Sequence, residues 1–141
     1  MFPIRSPEDL EKISREAKWQ YFEKIVGWIF EQNDFDVQVN KVVIFEKGDD
    51  KYRRQFDVIA RRFDTTFLVE CKKWSGSRYK VSALKEAVRS HEEKCSLYNI
   101  EHDADAVPII VTLMQEEITE HDGIKVVPVG KLNCFLNGQT L

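Results

Sequence analysis

The apolar segment at residues 107–113 constrains the fold of this chain more than any other feature. It reads Val-Pro-Ile-Ile-Val-Thr-Leu, which has the length of one strand and a single polar side chain. Such runs are typical of strands that are covered on both faces of a sheet. The segment follows a stretch with helical periodicity, so we expect the chain to reach this strand through a crossover helix. The pattern therefore predicts an α/β fold.

A long helix is predicted before the sheet. Ser6 is suited to cap it, Pro7 to occupy its first position, and Glu8 and Asp9 to lie in its first turn. Apolar residues then recur at steps of three and four, which is the helical period; they include Leu10, Ile13, Ala17, Tyr21, Ile25 and Trp28. The pattern predicts one continuous helix that ends near residue 34.

Three strands are predicted between this helix and the crossover helix. Alternating and apolar residues place the first at 35–45, a turn at 47–50 leads to the second at 52–61, and a tight connection leads to the third at 67–74. Ser82 is expected to cap the crossover helix, and 124–129 and 131–136 are expected to form a short strand and a terminal helical turn. The order is α-β-β-β-α-β, which predicts a mixed central sheet flanked by helices. No repeat or linker interrupts it, so we expect one domain over residues 1–141.

Composition narrows the class of protein. Apolar residues make up 43% and charged residues 32% of the 141, which excludes a disordered tail. No apolar run approaches the roughly 18–20 residues that cross a bilayer, and the first residues lack the apolar stretch of a signal peptide. Cys71, Cys95 and Cys134 show no CxxC spacing. We therefore expect a reduced, cytoplasmic protein with no membrane segment.

Charge is distributed unevenly along the chain. The net charge is −3, but residues 41–89 carry +6 and the remainder carries −9. A basic segment inside an acidic chain is the local footprint expected for a polyanionic partner.

The second and third strands carry the residues that indicate chemistry. Side chains alternate along a strand, so Glu70 and Lys72 point to one side of the third strand while Val69 and Cys71 point to the other. If the two strands form a hairpin, Asp57 lies beside Glu70. Two carboxylates suit Mg²⁺, a hard cation that keeps several waters, and a nearby lysine can orient an attacking water. Cys71 is expected to be a small core residue.

These residues resemble a known nuclease signature. Asp57, a spacer of 12 residues and then Glu70-Cys71-Lys72 match the PD-(D/E)xK pattern, although Phe56 stands where the signature has proline. Together with Phe22-Glu23 and the later stretch 81–85, they resemble the Mrr-type restriction endonuclease domain over about residues 17–130. Archaeal Holliday junction resolvases share this core. The charged hairpin at 42–56 has no matching part in the resemblance.

The resemblance implies a restriction-endonuclease-like core and metal-dependent hydrolysis of DNA phosphodiester bonds. It implies that Asp57, Glu70 and the carbonyl of Cys71 bind Mg²⁺, for which Mn²⁺ can substitute. It further implies that Lys72 serves the nucleophilic water and that Glu23 assists the metal or the water. Glu23 shares a helix flank with apolar residues, which offers independent support for a role.

Basic residues around this segment are the candidates for DNA contacts. They are Arg53, Arg54, Lys73, Arg78, Lys80 and Lys85. Contacts of this kind hold the phosphate backbone and carry no base information. Trp74 is either a stacking residue or a packed tryptophan.

Other interpretations remain open at this point. A structure-selective junction resolvase would be a homodimer, and a catalytically silent DNA-binding or interaction domain would use the same scaffold. In a further interpretation, the nuclease domain works beside an ATPase or a specificity subunit. His91 and Cys95 have a spacing that could hold zinc, but no further ligands are spaced to complete the site, and we expect a solvated histidine and a buried cysteine instead.

Overall fold

The computed structural model describes residues 6–16, 19–73, 81–113 and 118–138. Its first two helices are α1 (Pro7–Glu16) and α2 (Trp19–Gln32). The Ser6 hydroxyl accepts a hydrogen bond from the backbone N–H of Asp9 at 3.1 Å, which confirms the predicted cap. The sequence predicts one continuous helix here; α1 and α2 lie on either side of residues 17–18, which are outside the described part, so the continuity of the helix stays a prediction.

In the part of the chain that the structure describes, six strands form one mixed sheet. They are β1 (Asp36–Lys47), β2 (Asp50–Arg62), β3 (Thr65–Lys72), β4 (Val107–Thr112), β5 (Thr119–His121) and β6 (Ile124–Pro128). Their order across the sheet is β1-β2-β3-β4-β6-β5. β1, β2 and β3 are antiparallel neighbours, β4 runs parallel to both β3 and β6, and β5 is antiparallel to β6. The mixed sheet is confirmed, while the short strand β5 was not predicted.

The crossover and the terminal helices complete the fold. Helix α3 (Val81–His102) connects β3 to the parallel strand β4 and begins one residue before Ser82, which the sequence predicts as its cap. A 3-10 turn (Val129–Lys131) and helix α4 (Leu132–Leu136) follow β6, as predicted for this end of the chain. Within the described residues, no helix is long and apolar enough to cross a membrane.

The two faces of the sheet are covered by different helices. Val69 and Cys71 of β3 lie in the larger core with α2, whereas Leu68 packs on the other face with Cys95 and Tyr98 of α3. This alternation is the expected geometry of a strand covered on both faces. Gly27 allows α2 to lie close to β1, because a Cβ atom there would be 3.1 Å from side-chain atoms of both Val37 and Val39.

The β1–β2 hairpin changes face at Asn40 and Asp57. Val39 packs in the core with α2, but Val43, four residues further along the same strand, packs in the core with α3. Asn40 has a φ of 55°, and the register pairs Val39 with Val58 and Lys41 with Phe56 but does not pair the two residues between them. A left-handed residue breaks the regular pleat, so the strand turns over at this point. We call this feature the hairpin kink.

Candidate active site

A cavity of about 380 Å³ lies at the hairpin kink. Its lining is polar or charged throughout and comes from α2, β1, β2, β3 and α3; the residues are Gln20, Glu23, Asn40, Gln55, Asp57, Glu70 and Lys94. Three of the four residues proposed for catalysis from the sequence, Glu23, Asp57 and Glu70, therefore meet in one place. Lys94 is an addition that the sequence did not reveal.

Asp57 is held at the kink by the neighbouring strand. Its Oδ2 accepts a hydrogen bond from the backbone N–H of Cys71 at 2.8 Å. Burial raises the pKa of Asp57, and the nearby Glu70 carboxylate raises it further, while the Cys71 N–H acts in the opposite direction. The hairpin expected from the sequence thus places this carboxylate against the Glu70-Cys71-Lys72 segment.

Glu70 is contacted by two lysines. Its Oε1 lies 2.8 Å from the Lys94 Nζ, and its Oε2 lies 3.2 Å from the Lys72 Nζ. Burial alone would raise the pKa of Glu70, but the Lys94 ammonium, followed by His91 and Lys72, outweighs it, so the pKa lies below its ordinary value. Glu70 is therefore ionised at neutral pH. Lys72 projects from the same side of β3 as Glu70, as predicted, although it does not line the cavity.

Glu23 reaches the cavity from α2 and is only 2% exposed. Its carboxyl group lines the cavity together with Asp57 and Asn40. Burial and the adjacent Asp57 raise the pKa of Glu23 to about 7. Its Oε1 atom is buried and has no hydrogen-bond partner among the described residues. A buried oxygen without a partner, beside a second carboxyl group, is a costly arrangement that a bound cation or water would relieve.

Lys94 reaches the cavity from α3. Its Nζ donates to Glu70 Oε1 and also to the backbone carbonyl of Gln55 at 2.9 Å, and it lies 5.2 Å from the centroid of the Phe56 ring. No sequence signal distinguishes Lys94, because it belongs to the charged residues 92–94, which lie between the buried His91 and Cys95. Only the packing of α3 on β2 and β3 reveals its contact with Glu70.

Cys71 and His91 are buried near these residues but have structural surroundings. Cys71 lies in the core with α2, as predicted, and burial raises its pKa well above the ordinary value, so it is not a thiolate nucleophile. The prediction of a solvated His91 is wrong: its Nε2 lies 2.8 Å from the Leu68 carbonyl, and burial lowers its pKa to about 4. Cys95 is buried, as predicted.

The candidate DNA-binding residues are spread over two surfaces. Arg53 is exposed on the hairpin, whereas the neighbouring Arg54 forms an ion pair with Glu93 at 3.4 Å. Lys73 follows β3 and is half-buried, and Lys85 is exposed on α3. Arg78, Lys80 and Trp74 lie outside the described residues.

The donor set fits a divalent cation that retains waters. In the described parts of the chain, no group of three or more His, Cys, Asp or Glu side chains could hold a metal ion. The proposed set has only two side chains, Asp57 and Glu70, with the Cys71 carbonyl as a third oxygen. Oxygen ligands of this number suit Mg²⁺, which keeps part of its hydration shell. Glu23 lines the same cavity as Asp57 and Glu70 and is a further oxygen donor beside this set.

Comparison with known proteins decides the family. The profile of the Mrr catalytic-domain family, described as restriction endonuclease, matches residues 14–103, which is more than half of the chain. The chain belongs to this family. An uncharacterized protein of Archaeoglobus fulgidus is 32% identical over 119 residues, which cover 84% of this chain and 89% of that protein. The two proteins are therefore similar in length.

Solved structures support the same fold. The small subunit of the heterodimeric restriction endonuclease R.BspD6I matches with a TM-score of 0.53 and 13% identity. The match covers 93% of this Mrr-type chain and 77% of the subunit. Protein VC1899 from Vibrio cholerae matches with a TM-score of 0.57 and 16% identity. A protein of unknown function, AF1548, matches with a TM-score of 0.58 and 20% identity. The Mrr-type chain covers 32% and 58% of these two proteins, so it spans only part of their length.

Proposed function

We propose that this Mrr-type protein is a divalent-cation-dependent endonuclease that hydrolyses phosphodiester bonds of DNA. The observation that carries the proposal is the meeting of Glu23, Asp57 and Glu70 in one polar cavity, from three different elements, with Lys72 beside Glu70. Family membership supports nuclease chemistry, and the basic segment at 41–89 supports a polyanionic substrate.

Each residue has a role that its surroundings support. Asp57, Glu70 and the carbonyl of Cys71 would hold the cation, which when bound supplies a more acidic water and screens the phosphate charge. Lys72 orients the attacking water. Glu23, whose pKa is about 7, exchanges a proton readily at neutral pH, which suits a group that accepts a proton from that water.

The decisive test is cleavage of labelled DNA in several shapes. Linear duplex, single strand, flap and four-way junction would each be incubated with Mg²⁺, with Mn²⁺ and with EDTA. We expect cation-dependent products from the wild type and a loss of at least about a thousandfold in Glu70→Ala, because several kcal/mol of charge stabilisation disappear with the cation. Glu101→Ala, which removes an exposed carboxylate of α3, is the control and should cleave as the wild type does.

The same panel separates the other interpretations. Preferred cleavage of the four-way junction by a homodimer would indicate a resolvase. Salt-dependent DNA binding without products from any substrate would contradict the endonuclease and leave a binding domain on the same fold. Products that form only after an ATPase or specificity subunit is added would assign the chain to a larger enzyme.

Lys72 should affect hydrolysis more than cation binding. We expect Lys72→Ala to lower the cleavage rate by about a hundredfold or more, which is typical when a group that positions or transfers a proton is lost. Its affinity for Mn²⁺, measured without DNA, should not decrease. A decrease in affinity with an unchanged rate at saturating Mn²⁺ would contradict a role at the water.

A further inference from the structure

Both oxygens of Glu70 are engaged by ammonium groups in this structure. Lys72 contacts Oε2 at 3.2 Å and comes from the same strand, two residues away. Lys94 contacts Oε1 at 2.8 Å and comes from α3, on a different element. The side chains of Lys94 and Glu70 are only 14% and 16% exposed. The second contact therefore depends on how α3 packs on the sheet, and it is shielded from solvent.

The Lys94–Glu70 pair differs from an ordinary surface pair of the same length. Lys125 and Glu120 are 3.0 Å apart, but their side chains are 47% and 54% exposed. Water and salt screen such an exposed pair, and its effect on neighbouring charges is small. Around Glu70 the effective dielectric constant is lower, so one positive charge there acts strongly on any second cation.

We propose that Lys94 is an internal counter-ion that takes the place of the divalent cation at Glu70 and competes with it for this carboxylate. This inference rests on the proposed function, because it assumes that Glu70 binds a cation during catalysis. Lys94 is a positioning residue: it acts on Glu70 and does not itself contact the substrate. Because of this competition, the protein binds divalent cations more weakly than its carboxyl groups alone would allow.

The surroundings of Lys94 support competition. A cation bound to Glu70 would lie within a few ångströms of the Lys94 ammonium, and the two positive charges would repel each other. The carbonyl of Gln55, 2.9 Å from Nζ, offers the ammonium a remaining acceptor when Glu70 binds the cation. Lys94 can therefore release the Glu70 oxygen to the cation while it stays in the cavity and keeps its hydrogen bond to the Gln55 carbonyl.

Three substitutions test this inference through cation affinity. Lys94→Met removes the charge and the donor, Lys94→Gln removes the charge but keeps a donor, and Lys94→Arg keeps both. Lys125→Met is the matched control, because it breaks a lysine–glutamate pair of similar length at an exposed site. Each protein would be titrated with Mn²⁺ by calorimetry in the absence of DNA, and its thermal unfolding would be followed in EDTA and in Mn²⁺.

Opposite changes in affinity and stability are expected. Lys94→Met and Lys94→Gln should bind Mn²⁺ at least about tenfold more tightly than the wild type, because the competing charge is gone. Without a cation they should unfold several degrees lower, since Glu70 loses the more buried of its two lysine partners, and Mn²⁺ should raise their melting temperature more than that of the wild type. Lys94→Arg and Lys125→Met should bind Mn²⁺ as the wild type does.

The outcomes distinguish the two proposals. If the wild type binds Mn²⁺ but the neutral variants bind it equally or more weakly, Lys94 orients Glu70 instead of competing for it, and the inference is wrong while the proposed function stands. If no protein binds Mn²⁺ and the wild type cleaves no DNA, the proposed function and this inference both fail. Lys94→Gln keeps the test decisive should Lys94→Met not fold.

Discussion

Helices α2 and α3 cover opposite faces of the sheet, yet each sends one charged side chain into the same cavity. From α2, Glu23 brings an acid next to Asp57, and its own pKa rises to about 7. From α3, Lys94 brings an ammonium group next to Glu70, whose pKa lies below its ordinary value. The cavity is thus divided into a half with excess negative charge and a half in which charges are balanced.

The difference shows how one site can hold carboxyl groups in two states. Burial, together with a like charge at close range, raises the pKa of a carboxyl group, whereas an opposite charge keeps its partner ionised. Glu23 is poised to gain or lose a proton near neutral pH, while Glu70 remains a carboxylate. On the α3 side, the helix residue Lys94 keeps Glu70 ionised, whereas on the α2 side the helix residue Glu23 is itself the group whose pKa is raised.

Replacing Asp57 or Glu70 by its amide should reveal the difference between the two halves of the cavity most clearly. Asp57→Asn and Glu70→Gln should both reduce DNA cleavage by at least about a thousandfold. Their effects on folding in EDTA should be opposite. Asp57→Asn relieves repulsion with Glu23 and still accepts the Cys71 hydrogen bond, so its free energy of unfolding should match or exceed that of the wild type. Glu70→Gln should lose about 1–3 kcal/mol, because Lys94 loses its charged partner.

Urea unfolding at neutral pH measures these free energies. A double variant that combines Glu70→Gln with Lys94→Met provides the control, since it removes both charges of the pair. It should recover part of the stability that Glu70→Gln loses. Equal destabilisation by both amide substitutions would mean that the two halves of the cavity do not differ in charge balance.

The pH dependence of stability should differ in sign between Glu23 of α2 and His91 of α3. The pKa of Glu23 is raised to about 7 in the folded protein, so its ionisation opposes folding above pH 7 and this penalty fades as the pH falls towards 4.5. His91 on α3 behaves in the opposite way. Its folded pKa of about 4 lies below the ordinary 6.5, so the stability from its neutral form is complete above pH 6.5 and decreases as the pH falls towards 4.

Single substitutions isolate each contribution in EDTA. Relative to the wild type, Glu23→Gln should be more stable by about 1–3 kcal/mol at pH 8 and by little at pH 5. His91→Gln should differ in the other sense: its stability relative to the wild type should rise by about 2 kcal/mol between pH 8 and pH 5. The measurement is urea unfolding at both pH values. Parallel pH profiles for the wild type and Glu23→Gln would contradict a raised pKa for Glu23.

Much of the fold could be predicted because it depends on local patterns. The apolar run at 107–113 and the helix before it specify a parallel strand with cover on both faces, and β4 and α3 have this arrangement. The spacing between Asp57 and Glu70 on adjacent strands brought the two carboxylates together. These features follow from strand alternation and from hairpin connection, which the sequence shows directly.

The parts that could not be predicted depend on packing between distant segments. Lys94 and His91 lie on the same helix, one turn apart, and only the docking of α3 decides that one contacts Glu70 and the other the Leu68 carbonyl. The short strand β5 has three residues and no distinct pattern. The hairpin kink is another example, because alternation predicts that Val39 and Val43 share a face.

The smallest effect on the free energy of unfolding is expected at the hairpin kink, which places Asp57 and Asn40 between the two helices. Asn40 has a φ of 55°, a conformation that asparagine tolerates better than alanine and glycine adopts freely. Asn40→Ala should therefore cost about 1 kcal/mol more than Asn40→Gly, although both lose the same hydrogen bond from Gln55 at 3.1 Å. Chemical unfolding of the two variants in EDTA measures this difference. If alanine proves as stable as glycine, the left-handed backbone is not what turns the strand over, and the position of Asp57 must be set by its contact with Cys71 alone.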